Sequence, residues 1–139
     1  MSRLLEDLLW FLERPSVTGE EKQLCDHLEA RIKKSPGWKV ERVSNNLAVR
    51  RSEPDPSRER VVFAGHLDTV PQPAGGIPMR VEGGRVYGRG SSDMKAGDAV
   101  MLALLEGFDW QSSWVEPVFV FYEREEGPYP ENGMEAVFA

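Results

Sequence analysis

Apolar residues recur at helical spacing in four stretches of the chain. In the first stretch, leucines and Phe11 follow this period until Pro15 ends it. In the second, "TGEE" offers Thr18 as an N-cap with Glu21 three residues later, which predicts a capping box at the start of the helix. The predicted helices cover residues 2–14, 19–34 and 94–108, and a fourth begins within residues 131–139.

Strand patterns fill the intervals between these helices. Apolar and polar residues alternate in "WKVERV" and "LAVRR", which predicts two strands joined by a turn at "SNN". Two continuous apolar runs, "VVFAG" and "VFVFY", predict strands that are buried on both faces. Helices and strands in this order predict an α/β fold, with a mixed β-sheet flanked by helices. The predicted strands cover residues 38–43, 47–51, 61–65 and 118–122, with a hairpin in residues 79–88 that turns at Gly83–Gly84.

Composition narrows the classes of protein to consider. The chain has 139 residues and a formal net charge of −6, and its length suits one domain or a piece of a larger one. An acidic chain without a basic patch argues against nucleic-acid binding. The longest apolar stretch, "AVMLALLEGF", is about half the length that a membrane span needs, so we expect a cytoplasmic protein without membrane association. The single cysteine, Cys25, excludes an internal disulfide and lies on an apolar helix face, where a buried core residue is expected.

His66 and Asp68 directly follow the first apolar run. In an extended chain, residues two positions apart face the same side, so Asp68 is placed to accept a hydrogen bond from His66. A metal-binding histidine commonly has such a carboxylate behind it, which fixes its tautomer. The alternative is an ordinary hydrogen-bonded polar residue near a strand end, and this pair by itself does not decide between the two.

Acidic residues occupy two further positions of interest. Asp93, in "GRGSSDMKAG", stands immediately before a predicted helix, where capping that helix is the alternative to a functional role. Glu123, Glu125 and Glu126 follow the second apolar run, and three acids so close together commonly form a solvated turn. Ligands in α/β sheets bind beyond the carboxyl ends of the strands. The residues after the two apolar runs, together with Asp93, are therefore candidates for one shared site.

If these clusters converge, the site holds four carboxylates and one neutral imidazole. Two divalent ions would balance the resulting charge of about −4. Histidine and carboxylates without thiolates suit zinc in a hydrolytic site, with cobalt or manganese as alternatives. A paired-carboxylate glycosidase would leave the histidine without a role. The candidate residues are His66, Asp68, Asp93, Glu125 and Glu126.

Three motifs, "GHLDTVP", "GRGSSDMKAG" and "EREEG", resemble in this order those of the dinuclear zinc aminoacylase, desuccinylase and carboxypeptidase family. The resemblance extends from "ERPSVTGEE" to "ENGMEAVF" and so covers nearly the whole chain. It implies a zinc-exopeptidase-like catalytic domain that hydrolyses an N-acyl amide. It also implies two Zn²⁺ ions as cofactors, or Co²⁺ or Mn²⁺ in their place.

The same resemblance implies a role for each candidate residue. His66 would bind one zinc ion, with the catalytic Asp68 behind it. Asp93 would bridge the two ions, and the peptide bond that follows it would be cis. Glu125 would be the general base, and Glu126 would bind the second ion.

The resemblance also suggests a substrate. "SSDMKAGDAV" and "VFYEREEGPYPENG" are most similar to the succinyl-diaminopimelate desuccinylases, which act on a small N-acyl amino acid in lysine biosynthesis. Deacetylation of N-acetylornithine, and dipeptidase or aminoacylase activity, are alternatives within the family. A non-catalytic role, as a truncated pseudo-enzyme or a binding partner, is a further alternative.

Two more metal ligands and a dimerisation domain, which the family carries, have no counterpart in these residues. His27, the other histidine, lies in a predicted helix and receives no metal role. We therefore expect residues 1–139 to be the N-terminal part of a catalytic domain that is incomplete at its C-terminal side. By this interpretation the chain is inactive alone, and the full-length protein forms a homodimer.

Overall fold

The computed structural model describes residues 2–138, and every predicted helix and strand is present in it within a few residues of its expected ends. The helices are α1 (Arg3–Leu12), α2 (Lys22–Ile32), α3 (Lys95–Gly107) and α4 (Met134–Phe138). The strands are β1 (Trp38–Val43), β2 (Asn46–Arg51), β3 (Glu59–His66), β4 (Arg80–Glu82), β5 (Arg85–Tyr87) and β6 (Val115–Tyr122). One 3₁₀ turn spans Tyr129–Glu131.

Four of the strands form a mixed sheet in the order β1-β2-β6-β3, and β4 and β5 form a separate hairpin. The β1–β2 and β2–β6 pairs are antiparallel, whereas β3 and β6 are parallel. The register pairs His66 with Tyr122, which are the last residues of their strands. Because the two strands are parallel, the segments that follow them start side by side at one edge of the sheet.

The two apolar runs differ in burial. Strand β6 is buried along nearly its whole length, as its sequence predicts. Strand β3 is an edge strand of the described sheet, and its first six residues are exposed or half-buried, with Val62 43% exposed. The prediction that β3 is buried on both faces is therefore wrong for most of its length. Only its end, at Gly65 and His66, is buried.

The helices cover the sheet and close one hydrophobic core. Helix α1 packs on α3, α3 packs on β3 and β6, and α2 packs on β1 and β2. Cys25 is confirmed as a core residue, since it is fully buried and burial raises the pKa of its thiol to about 12. None of the helices within residues 2–138 is long and apolar enough to cross a membrane. The largest fully buried apolar side chains are Phe11, Phe119, Phe121, Leu24, Leu28, Ile32, Leu47, Leu67 and Leu102.

Asp98 is a carboxyl group inside this core. It is fully buried on α3, and neither of its carboxyl oxygens has a hydrogen-bond partner among the described residues. A Cβ atom on Gly65 would stand 2.4 Å from its Oδ1, so β3 needs a glycine at that position. Burial raises the pKa of Asp98 well above its usual value, although the charges of His66 and Lys95 oppose that rise.

We expect Asp98→Asn to stabilise the protein at neutral pH. Because the folded-state pKa lies above the unfolded value of about 3.9, stability is greatest below that value and is lost as the pH rises toward the folded-state pKa. The free energy of unfolding should therefore be higher in Asp98→Asn than in the wild type near pH 7. Near pH 4 the gain should largely disappear.

Urea unfolding at the two pH values measures this difference. Asp109→Asn is the control, because it removes a carboxylate from an exposed turn, and it should give no gain. An Asp98→Asn variant with unchanged or lower stability near pH 7 would contradict a raised pKa of Asp98 in the folded protein.

Candidate metal centre

His66 ends strand β3 with its ring orientation fixed. Its side chain is buried, and Nδ1 lies 3.0 Å from the backbone oxygen of Asp68. A carbonyl oxygen can only accept, so Nδ1 carries the proton of this hydrogen bond. Nε2 therefore points to the site, where it lies 3.0 Å from Oδ1 of Asp93 and 3.7 Å from Oε2 of Glu125. Because Nδ1 keeps its proton, Nε2 is the nitrogen that a metal ion can use, in place of the proton that it carries when the ring is charged.

Asp93 stands directly before α3, at the end of the loop that follows β5. Its Oδ1 contacts His66, and no side chain caps the helix, so the alternative of a helix cap is wrong. The Asp93–Met94 peptide bond is cis, as the family resemblance implied. The Asp93 side chain is 73% exposed and thus open to a ligand.

Asp68 joins the loop after β3 to the loop after β6. It is fully buried, and its Oδ1 and Oδ2 accept the backbone N–H groups of Glu125 and Glu126 at 2.9 and 3.0 Å. The Thr18 hydroxyl donates to Oδ2 at 2.9 Å, and Oδ1 lies 3.4 Å from Nδ1 of His66. Burial disfavours the ionised form, but these hydrogen bonds outweigh it and lower the pKa of Asp68. The hydrogen bond to the imidazole thus comes from the backbone oxygen of Asp68 and not from its carboxylate, as had been expected, and the carboxylate binds the acidic loop instead.

The three acids after β6 have different surroundings, so the alternative of a plain solvated turn is wrong. Glu123 is buried and faces the turn between β1 and β2. Its carboxylate accepts the side-chain amide of Asn45 at 2.8 Å and that of Asn46 at 3.3 Å. Glu125 and Glu126 lie on the side of His66 instead. Glu123 therefore connects the end of β6 to the turn between β1 and β2, whereas Glu125 and Glu126 face the site.

A contact that the sequence reasoning missed holds the acidic loop from its other side. The backbone of Arg124 has a φ of 61°, and its N–H donates to Oε1 of the fully buried Glu21 at 3.2 Å. The N–H of Gly19 donates to the same oxygen at 2.9 Å. The predicted capping box is therefore wrong, since no side chain caps α2 and the Thr18 hydroxyl binds Asp68. The motif "TGEE" does contain the residues that make these contacts, Thr18 and Glu21. Its spacing matches a local capping box, however, and does not reveal that their partners lie far along the chain.

The donor atoms of His66, Asp93 and Glu126 all lie within 4.8 Å of one another. One imidazole nitrogen and two carboxylate oxygens are ligands that zinc accepts. Burial lowers the pKa of His66, but Asp68 and Asp93 outweigh burial and raise it to about 9. Burial, and then the Asp93 carboxylate, raise the pKa of Glu126. In both cases neighbouring carboxylates contribute to the rise, and a bound cation would offset their negative charge, so these residues fit a metal ion.

Comparison with known proteins agrees with this geometry. The sequence model of peptidase family M20/M25/M40 matches residues 62–139, which contain the three motifs. The chain belongs to this family. Membership confirms the family predicted from the motifs, whose members are metal-dependent hydrolases of amide bonds. His27 is exposed on α2, outside the metal-ligand group.

Three proteins illustrate the similarity. A succinyl-diaminopimelate desuccinylase of Corynebacterium glutamicum is 46% identical over 90 residues, which span 63% of this chain and 24% of that protein. The crystal structure of aminopeptidase PepT from Bacillus cereus matches 89% of this chain and 36% of its own, with a TM-score of 0.73 and 22% identity. A family M20 metallo-carboxypeptidase of Sulfolobus solfataricus matches 87% of this chain and 30% of its own, with a TM-score of 0.67 and 20% identity.

Two facts follow from these similarities. The predicted fold class is confirmed, because the mixed sheet with flanking helices is the fold shared with solved peptidases of this family. The chain spans about a quarter to two-fifths of the length of the relatives it matches.

We expect Asp68→Asn to weaken metal binding tenfold to hundredfold, the range typical of residues that orient metal ligands. An amide offers one acceptor oxygen where the carboxylate offers two, so either the Glu125 or the Glu126 N–H loses its partner. Competition with a chromogenic chelator for Zn²⁺ measures the effect. Asp26→Asn is the matched control, because Asp26 lies on α2 and pairs with Lys22 there. Unchanged affinity in Asp68→Asn would contradict the role given to Asp68.

Proposed function

We propose that this chain carries part of the active site of a metal-dependent hydrolase that cleaves N-acyl amides. The observation that carries the proposal is the convergence of His66, Asp93 and Glu126 within 4.8 Å, with Glu125 at 3.7 Å from the same imidazole. Three ligands and a neighbouring free carboxylate are the set that metal-assisted hydrolysis requires. Membership of a peptidase family supports the same class of reaction.

The proposed cofactors are two Zn²⁺ ions, which Co²⁺ or Mn²⁺ can replace. His66 would hold one ion, Glu126 the other, and Asp93 would bridge them. We further propose that residues 1–139 form the N-terminal part of the catalytic domain. Additional polypeptide would then supply the remaining ligands and a dimerisation domain, and the short span of the chain relative to its relatives supports this arrangement.

In the proposed reaction, the metal ions and Glu125 have separate roles. Bound divalent ions supply Lewis-acid polarisation of the amide carbonyl and a water molecule of lowered pKa. Glu125 is the proposed general base, which takes a proton from the attacking water and passes it to the leaving amine. Its carboxylate is 41% exposed, and its backbone N–H is fixed by Asp68, so the base is both accessible and held in place.

N-Succinyl-diaminopimelate is the proposed substrate, which places the reaction in lysine biosynthesis. Support comes from the 46% identity to the Corynebacterium glutamicum protein, which is named as the desuccinylase of that compound. N-Acetylornithine deacetylation and dipeptide or aminoacyl hydrolysis are the competing reactions within the same family.

We expect Glu125→Ala to retain its zinc and to lose at least about a hundredfold in turnover, because general-base catalysis contributes roughly that much or more. The protein to test is the full-length enzyme that contains this chain, with zinc measured by elemental analysis. Asp93→Ala is the comparison, and its zinc content should fall. Turnover near that of the wild type in Glu125→Ala would exclude the general-base role, and unchanged zinc in Asp93→Ala would exclude the bridge.

Paired assays test the substrate. The zinc-loaded full-length enzyme should hydrolyse N-succinyl-diaminopimelate with a kcat/KM at least about tenfold above that for N-acetylornithine or a dipeptide. The 139-residue chain alone should bind zinc weakly and turn over none of them. A higher kcat/KM for the acetylated compound or the dipeptide would mean that this compound, and not N-succinyl-diaminopimelate, is the substrate. Efficient turnover by the isolated chain would contradict the proposal that its site is incomplete.

A further inference from the structure

An open cleft of about 410 Å³ adjoins the candidate metal ligands Asp93 and Glu126. One wall of this cleft is the loop between β5 and α3, which contributes Arg89, Ser91 and Ser92. The residues that line the cleft therefore include two carboxylic acids, beside which the metal ions are proposed, and one arginine.

The loop that carries Arg89 is firmly held. The N–H of Ser91 donates to the oxygen of Gly88 at 3.1 Å, and the N–H of Lys95 donates to the oxygen of Gly90 at 2.9 Å. Gly90 has a φ of 80°, and a Cβ atom there would approach a buried methyl group to 2.8 Å. The Lys95 ammonium is buried and donates to two backbone oxygens at the end of α1, which anchors the loop to the core. The backbone at Arg89 is thus held in a fixed position.

Arg89 lacks the partners that other partly buried arginines have. Arg31, Arg42 and Arg51 are each paired with carboxylates. The Nε atoms of Arg14 and Arg89 are both buried without a hydrogen-bond partner within residues 2–138. Nη1 of Arg14 donates to the backbone oxygen of Trp10, however, whereas no ion pair or side-chain hydrogen bond joins Arg89 to those residues. A buried donor without a partner is costly, and a planar guanidinium matches a carboxylate through two parallel hydrogen bonds.

We propose that Arg89 binds a carboxylate group of the substrate in this cleft. This inference rests on the proposed function, since it assigns the cleft beside the metal ligands to the substrate. The hydroxyl groups of Ser91 and Ser92, on the same wall, are further donors for the anion. Arg89 would select acidic N-acyl amides over neutral ones, because a neutral group leaves the guanidinium without a partner.

The carboxylate has two possible sources, the acyl half and the amine half of the substrate. Two analogues of N-succinyl-diaminopimelate separate them: in one, the terminal carboxylate of the succinyl group is a carboxamide, and in the other, the carboxylate beside the scissile amide is a carboxamide. Full-length zinc-loaded wild type and Arg89→Met are compared on the parent compound and on both analogues.

We expect Arg89→Met to raise the KM for the parent compound tenfold to hundredfold, with kcat and zinc content nearly unchanged, because a charge-assisted hydrogen bond is lost. The analogue that lacks the bound carboxylate should be a poor substrate of the wild type and insensitive to the substitution. Arg85→Met removes the same charge from an exposed position on β5 outside the cleft, and its KM should not change. Arg89→Lys keeps the charge without the planar fork and should give an intermediate KM.

A readout without turnover separates this inference from the proposed function. Calorimetry on the same proteins should show that succinate or diaminopimelate binds at least tenfold more weakly to Arg89→Met than to wild type. If wild type hydrolyses no N-acyl amide but this difference is found, the proposed function fails and the anion site stands. Equal KM values in wild type and Arg89→Met on the parent compound, or equal losses on all three compounds, would overturn the assignment. Should Arg89→Met not fold, the wild-type ranking of the three compounds and the Arg89→Lys variant decide the question in the same way.

Discussion

The carboxylate of Asp68 joins three separate segments of the chain at one buried point. It accepts two successive backbone N–H groups from the acidic loop after β6 and the hydroxyl of Thr18 from the segment before α2. The backbone oxygen of the same residue fixes the His66 ring, which sets the outward-facing nitrogen. Without this carboxylate, nothing in the described chain would hold both N–H groups of the acidic loop against the end of β3. The geometry of the candidate metal centre depends on it.

The parallel pairing of β3 and β6 makes this contact possible. The register ends both strands together, so that His66 and the acidic loop start from neighbouring positions. This arrangement concentrates negative charge, and the neighbouring carboxylates raise the pKa of His66 against the opposing effect of burial. A fold would not gather these groups for stability, because like charges at close range repel. Their convergence supports the proposal that the site holds a cation.

Much of this arrangement could be predicted from the sequence, and there are physical reasons why the remaining features could not. Apolar runs predicted the strands, and the polar residues that follow them predicted His66 and Glu126, because strand ends collect at one end of the sheet. Asp93 came instead from the glycine-rich motif before a predicted helix. Burial of β3 was overestimated, because a pattern of apolar residues does not show how many neighbours a strand has. One partner of Glu21, the N–H of Arg124, lies 103 residues further along the chain, so a local capping pattern was assigned to Glu21 instead.

Anomalous diffraction from zinc-loaded crystals of the protein tests whether His66, Asp93 and Glu126 ligate metal. The account predicts anomalous peaks within about 2.0–2.2 Å of Nε2 of His66 and of a carboxylate oxygen of both Asp93 and Glu126. Glu125 should lie beside these peaks without ligating them. Zinc bound elsewhere, or zinc held by Glu125 in place of Glu126, would contradict the account.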